Sequence, residues 1–142
     1  MEKEEFAERE KLCQKYFEEL GEVYHVCTPE NHPLLFKNKE DFKIGMSLFA
    51  LCVLKFPEIK IITFQLMSNH LHFAAAGEKQ SIESLLNLLF AVFRKHPDLQ
   101  GDFASLILSE CKIIPVESLE NLRNVIAYIN RNGFVVNCDT TP

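Results

Sequence analysis

The stretch Ile59 to Ala76, IKIITFQLMSNHLHFAAA, decides the fold class. Its first half, Ile59 to Met67, is rich in β-branched and aromatic residues, Ser68-Asn69 supplies a tight connection, and His70 to Ala76 resumes strand character before Gly77. An antiparallel hairpin is predicted. Working upstream, Glu22 to Thr28 (EVYHVCT) reads as a short strand stopped by Pro29, and residues 29–33 have loop chemistry. Between the two lies Asp41 to Phe56, a helix apolar almost all round and broken by Pro57, which should be largely buried. Glu2 to Leu20 spaces Phe6, Leu12, Cys13, Tyr16, Phe17 and Leu20 as an amphipathic helix, with Gly21 where a C-terminal cap belongs.

Downstream, Ser81 to His96 repeats apolar residues at helical intervals, with Ser81 as the expected cap and Pro97 as the stop. Gly101 to Ile114 is ambiguous between a helical turn in FASLIL and a short strand in CKII, closed by Pro115. Glu117 to Asn132 places Leu119, Leu122, Ile126 and Ile129 on one helical face, with Gly133 as the expected cap and a last strand expected from Phe134. This order predicts an α+β fold in which helices cover an antiparallel sheet, rather than a doubly wound parallel sheet.

A chain of 142 residues with 47% hydrophobic and 25% charged residues is long enough for one self-sufficient core. The expected division is an N-terminal amphipathic helix over residues 1–22 and one domain over residues 23–142. The net charge is −5, and residues 1–22 alone hold eight acids against four bases, so the body of the chain is nearly neutral. That balance argues against a protein that coats duplex DNA by bulk charge, but leaves room for a partner with a small footprint. The five cysteines are odd in number and never closer than 14 positions, so CxxC redox and thiolate-zinc spacings are absent and buried free thiols are expected. No leader pattern or membrane-spanning apolar run is present in this sequence, so the expectation is a cytoplasmic protein with no membrane partner.

Two groups of residues could carry chemistry. His70-Leu71-His72 lies on the predicted second strand of the hairpin, where residues two apart share a face, so both imidazoles should project together as half of a metal site. Tyr128 and Asn132 are four apart on the last helix and share a face, bringing a phenol near an amide. Taken singly, each has an ordinary alternative: a solvent-facing or stacked histidine pair, and a tyrosine at the edge of the core beside a helix-terminal asparagine.

Taken together, Tyr24-His25-Val26, the segment Phe36 to Phe42, the hairpin Phe64 to His72 and the helix Tyr128 to Asn132 follow the order seen in single-strand DNA transposases with one catalytic tyrosine. The chain resembles the REP-associated branch of these HUH enzymes over about residues 23–137. The resemblance implies a ferredoxin-like fold, to which the N-terminal helix is an addition. It implies His70, His72 and Asn132 as ligands of a divalent metal, Mg²⁺ or Mn²⁺, and Tyr128 as a nucleophile that forms a covalent phosphotyrosine. The implied partner is single-stranded or hairpin DNA, and a homodimer is the assembly to test. Related sequences carry an Arg-Gly pair soon after the first strand, where this chain reads Cys27-Thr28-Pro29-Glu30. The bases expected to meet DNA are Arg94, Lys95, Lys112, Arg123 and Arg131. Two further functions stay open at this point: a domesticated relative that binds a nucleic-acid hairpin without cutting it, and a protein-interaction module on the same fold.

Overall fold

The structure, a computed structural model, describes the backbone of residues 2–140 and the side chains of residues 2–131. Helix α1 (Lys3–Glu19) leads into β1 (Val23–Cys27), α2 (Lys39–Val53), the hairpin β2 (Lys60–Leu66) and β3 (Leu71–Ala76), α3 (Lys79–Lys95), β4 (Lys112–Pro115) and α4 (Leu119–Thr140). The four strands form one antiparallel sheet in the order β2-β3-β1-β4. This is the α+β arrangement that the element order predicts, and it is consistent with the ferredoxin-like fold that the resemblance implies, with α1 added at the N-terminal side.

Strand alternation divides the core into two layers. Tyr24, Val26, Leu71, Phe73 and Ala75 point to one face, where α2 and α3 cover them with Phe49, Ile82, Leu85, Leu86, Leu89, Phe90 and Phe93. Val23, Ala74 and Ala76 point to the other face, under Leu122, Val125 and Ile129 of α4. The alanines lack bulk, so α4 can approach the sheet closely, and Thr63 of β2 donates a hydrogen bond to Asn130 of α4 at 3.0 Å.

Local chemistry explains most boundaries. Asn38 caps α2 by accepting from the Asp41 N–H at 2.9 Å, while the Asp41 carboxylate accepts from the Lys37 N–H at 2.8 Å. Gly21 adopts a φ of 76° after α1, a left-handed turn that a glycine reaches without a Cβ clash. The hairpin loop closes through the Met67 N–H on the His70 carbonyl at 2.8 Å.

Three expectations need correction. Helix α2 is not largely buried: Asp41, Gly45, Phe49 and Cys52 form its buried stripe, while Met46, Leu51 and Leu54 are exposed, because only one side of the helix meets the sheet and α3. Ser81 does not cap α3, which begins two residues earlier after the extended Glu78; the first helical bond runs from the Ile82 N–H to the Glu78 carbonyl at 3.1 Å. Gly133 does not end α4, nor does a strand begin at Phe134, since the helical backbone continues to Thr140. A glycine costs a helix only about 1 kcal/mol and stops it only where the chain also turns away. In the ambiguous segment, an edge strand forms over Lys112–Pro115, one residue later than CKII and with Pro115 as its last residue, preceded by a 3₁₀ turn over Leu108–Glu110.

Candidate metal and tyrosine site

The face of the sheet under α4 is apolar at one end and changes character at the other. His25 and Cys27 of β1 alternate onto this face, and Cys27 lies directly opposite His72 of β3 in the strand register. His70 and His72 project to the same side, as the period of two requires, with ring centroids 5.4 Å apart. Thr28 fixes the ends of both strands: its N–H donates to the Leu71 carbonyl at 3.0 Å, and its hydroxyl accepts from the Leu71 N–H at 2.9 Å. Tyr128 reaches the group from α4, because Ile129 turns inward beside Leu122 and Val125 and leaves the neighbouring position facing the histidines. Its ring meets His72 edge-on at 5.9 Å and His25 edge-on at 6.1 Å. The Tyr128 hydroxyl donates to the Glu30 carboxylate at 3.2 Å.

The imidazoles have few partners. His72 is fully buried, and neither of its ring nitrogens has a hydrogen-bond partner among the described residues; the same holds for Nε2 of His70 and of His25. Among the described residues, only Nδ1 of His70 is engaged, 2.9 Å from Oδ1 of Asn69, whose amide nitrogen donates to the Glu30 carbonyl at 2.6 Å. Burial holds the His72 pKa down to about 4, with the neighbouring His70 and His25 adding to the depression and Glu30 opposing it. Burial also lowers His70 and His25, again against Glu30. The rings are thus held neutral, the state in which a nitrogen lone pair can bind a cation. Burial pushes the Cys27 thiol up to about 11.

Cys27, His70 and His72 are all buried and offer ligand atoms within 4.8 Å of one another, a grouping that could hold a metal ion. Orphaned nitrogens on two adjacent rings fit a cation well, since a buried unpaired polar group costs about 1–3 kcal/mol. The sequence pointed to His70, His72 and Tyr128, and the structure brings these three together. The side chain of Asn132, the third ligand implied by resemblance, lies outside the described residues.

Sequence reasoning missed His25 and Cys27 and treated Glu30 only as a departure from a family pattern. A signal was present: His25-Val26-Cys27 has the same spacing of two as His70-Leu71-His72. Its meaning depends on β1 and β3 pairing in register, which neither segment reveals alone.

The five bases are scattered. Lys112 lies opposite Cys27 on β4 and is exposed on the face that carries the site. Arg131 is exposed on α4, three residues beyond Tyr128. Arg123 is committed to Glu10 of α1 through two hydrogen bonds of 3.0 and 2.7 Å. Arg94 and Lys95 end α3, in the layer on the opposite side of the sheet, where Arg94 donates to the Leu106 carbonyl at 3.3 Å. Comparison of the chain with models of known protein families and with curated proteins finds no match. No helix among the described residues is long and apolar enough to cross a membrane.

Proposed function

We propose that the protein cuts and rejoins single-stranded or hairpin DNA with Tyr128 as nucleophile, the activity implied by its resemblance to the HUH transposases. The observation that carries this reading is the position of the Tyr128 ring, 5.9 Å from His72, in a group of neutral imidazoles with buried nitrogens that have no hydrogen-bond partner among the described residues. His70 and His72 would hold the divalent ion, Mg²⁺ or Mn²⁺ by resemblance, with Asn132 as the implied third ligand. Such an ion, when bound, neutralises charge on a phosphate during in-line displacement.

The residues of the chain supply the remaining steps. The Tyr128 oxygen attacks phosphorus, and the phenolic proton passes to the Glu30 carboxylate that already accepts it in a hydrogen bond. The new bond from oxygen to phosphorus forms as the bond to the DNA 3′ oxygen breaks, and that oxygen leaves as a hydroxyl by taking up a proton from solvent. The phosphotyrosine conserves the phosphodiester energy, so attack by another 3′-hydroxyl rejoins DNA and returns Tyr128 to its starting state.

Incubation of the full chain with end-labelled hairpin DNA and Mn²⁺ tests this on a denaturing gel. A covalent adduct is expected with the wild type and none with Tyr128→Phe, which loses the hydroxyl and keeps the ring. Nicking by Tyr128→Phe at the wild-type rate would overturn the role of tyrosine. A second reading, hairpin binding without cleavage, is favoured by the Glu30 carboxylate beside Tyr128, which repels a phosphate, and by the commitment of Arg123 to Glu10. Stoichiometric hairpin binding with no adduct in Mg²⁺ or Mn²⁺ would select it. In either case few phosphates are neutralised, so binding should show a shallow salt slope.

A further inference from the structure

Among the described residues, the third donor beside His70 and His72 is one that the sequence did not suggest. A pair of imidazoles completed by a carboxamide suits a hard ion such as Mg²⁺ or Mn²⁺ only moderately, since those ions favour oxygen ligands. The fold places a sulfur beside the two rings. Cys27 is directly opposite His72 in the pairing of β1 with β3, and its Sγ lies within 4.8 Å of one nitrogen of each histidine. All three residues are more than nine-tenths buried. In a tetrahedral zinc site, ligand atoms bound at about 2.0–2.3 Å stand roughly 3.5 Å apart. Closure of the present group therefore needs side-chain rotation of no more than an ångström or so, with the strands left in place.

Second-layer contacts point the same way. Nδ1 of His70 faces Oδ1 of Asn69, and Asn69 is itself anchored by its 2.6 Å bond to the Glu30 carbonyl. That arrangement places the His70 proton on Nδ1 and leaves the Nε2 lone pair without a partner among the described residues, as metal-binding histidines require. Among the described residues the Cys27 thiol donates one hydrogen bond, to the adjacent Thr28 carbonyl at 3.1 Å, and it is given up when the proton leaves. His25 does not belong to the group of ligand atoms within 4.8 Å, and no other cysteine among the described residues belongs to it.

We propose that Cys27, His70 and His72 form a three-ligand site for Zn²⁺, with the fourth position left to an oxygen ligand from water or substrate. On binding, the Cys27 S–H bond breaks, its proton goes to solvent, and the thiolate donates its electron pair to the ion. Soft thiolate and borderline imidazole ligands select Zn²⁺ over Mg²⁺. Three protein ligands with one open position are the pattern of zinc sites that bind an exchangeable ligand. The proposal shares His70 and His72 with the phosphoryl-transfer reading and puts Zn²⁺ and Cys27 where that reading has Mg²⁺ or Mn²⁺ and Asn132, but it needs neither DNA nor a reactive Tyr128.

The test uses metal-free full-length protein and Co²⁺ as a spectroscopic probe. One equivalent of Co²⁺ should produce the visible absorption of a tetrahedral ion together with a near-ultraviolet thiolate-to-cobalt band, and one equivalent of Zn²⁺ should bleach both, whereas millimolar Mg²⁺ should not. Cys27→Ser should lose the thiolate band and bind Zn²⁺ on the order of 100-fold more weakly, since even loss of an outer partner costs about 10–100-fold. Cys13→Ser, at an exposed position on α1, should behave as wild type. X-ray absorption of the Zn²⁺-loaded wild type should show one sulfur neighbour, which keeps the test decisive if Cys27→Ser fails to fold. Absence of stoichiometric binding, a thiolate band that survives Cys27→Ser, or a zinc shell of nitrogen and oxygen alone would overturn the proposal. A protein that binds Zn²⁺ in this way yet forms no DNA adduct would refute the cleavage reading and leave the metal site standing.

Discussion

Truncation of Ile129 tests whether packing is what holds Tyr128 over the histidines. Ile129 is fully buried in the small apolar layer that seats α4, among Val23, Ala74, Ala76, Val116, Leu122 and Val125. Ile129→Ala removes three carbons, a transfer loss of about 2.4 kcal/mol at about 0.8 kcal/mol per methylene. The cavity adds to that loss, because Ala74 and Ala76 beneath it are too short to fill the space. The higher helix propensity of alanine returns about 0.4 kcal/mol. A net loss of about 3 kcal/mol follows, against a typical total stability of 5–15 kcal/mol for a domain. That corresponds to a fall in Tm of roughly 10 °C for a chain of this size. The protein has no tryptophan, so urea denaturation is best followed by far-ultraviolet circular dichroism. Hydrogen exchange should show the α4 amides losing protection more than those of α3. Ile129→Val should cost about 0.5–1.5 kcal/mol. A loss below about 1 kcal/mol for Ile129→Ala, with α4 protection unchanged, would refute the argument that this layer positions the tyrosine.

Other expectations concern pH, the loop contacts and the added helix. In metal-free protein, His72 has a folded pKa of about 4 against an ordinary value of 6.5, so its contribution to stability is full above about pH 6.5 and is lost as pH falls towards 4. The unfolded chain binds the proton first, and the loss should reach about 2–3 kcal/mol; denaturation of wild type and His72→Gln across this range measures it, and a constant difference between them would sink the argument. Gly101→Ala should destabilise by about 1–3 kcal/mol, since a methyl group there would collide with the Leu35 backbone carbonyl; an unchanged urea midpoint would contradict that contact. Glu10→Gln, which weakens the exposed pair with Arg123, should loosen α1 in hydrogen exchange while leaving the midpoint of the whole domain in place, because α1 has no buried residues of its own. A large fall in that midpoint would show α1 to be part of the core.

Much of the architecture was determined locally. The alternation and turn chemistry of Ile59 to Ala76 specify a hairpin, the apolar spacing of Ile82 to Phe93 specifies α3, and the order of elements specifies helices on an antiparallel sheet. The period of two in His70-Leu71-His72 likewise sets both imidazoles on one face before any tertiary contact forms. What the sequence left open depends on partners distant along the chain. The exposed side of α2 follows from how much of the helix the sheet and α3 can cover, and the run of α4 past Gly133 from the absence of a turn there. Cys27 looks like one more isolated thiol until antiparallel pairing sets it opposite His72, 45 positions away. Glu30, likewise, gains meaning only when α4 delivers the Tyr128 hydroxyl to it across 98 positions. Backbone periodicity acts over a few residues and can be read from them, whereas the ligand set of a site is decided by strand register and helix docking, which depend on the whole packed core.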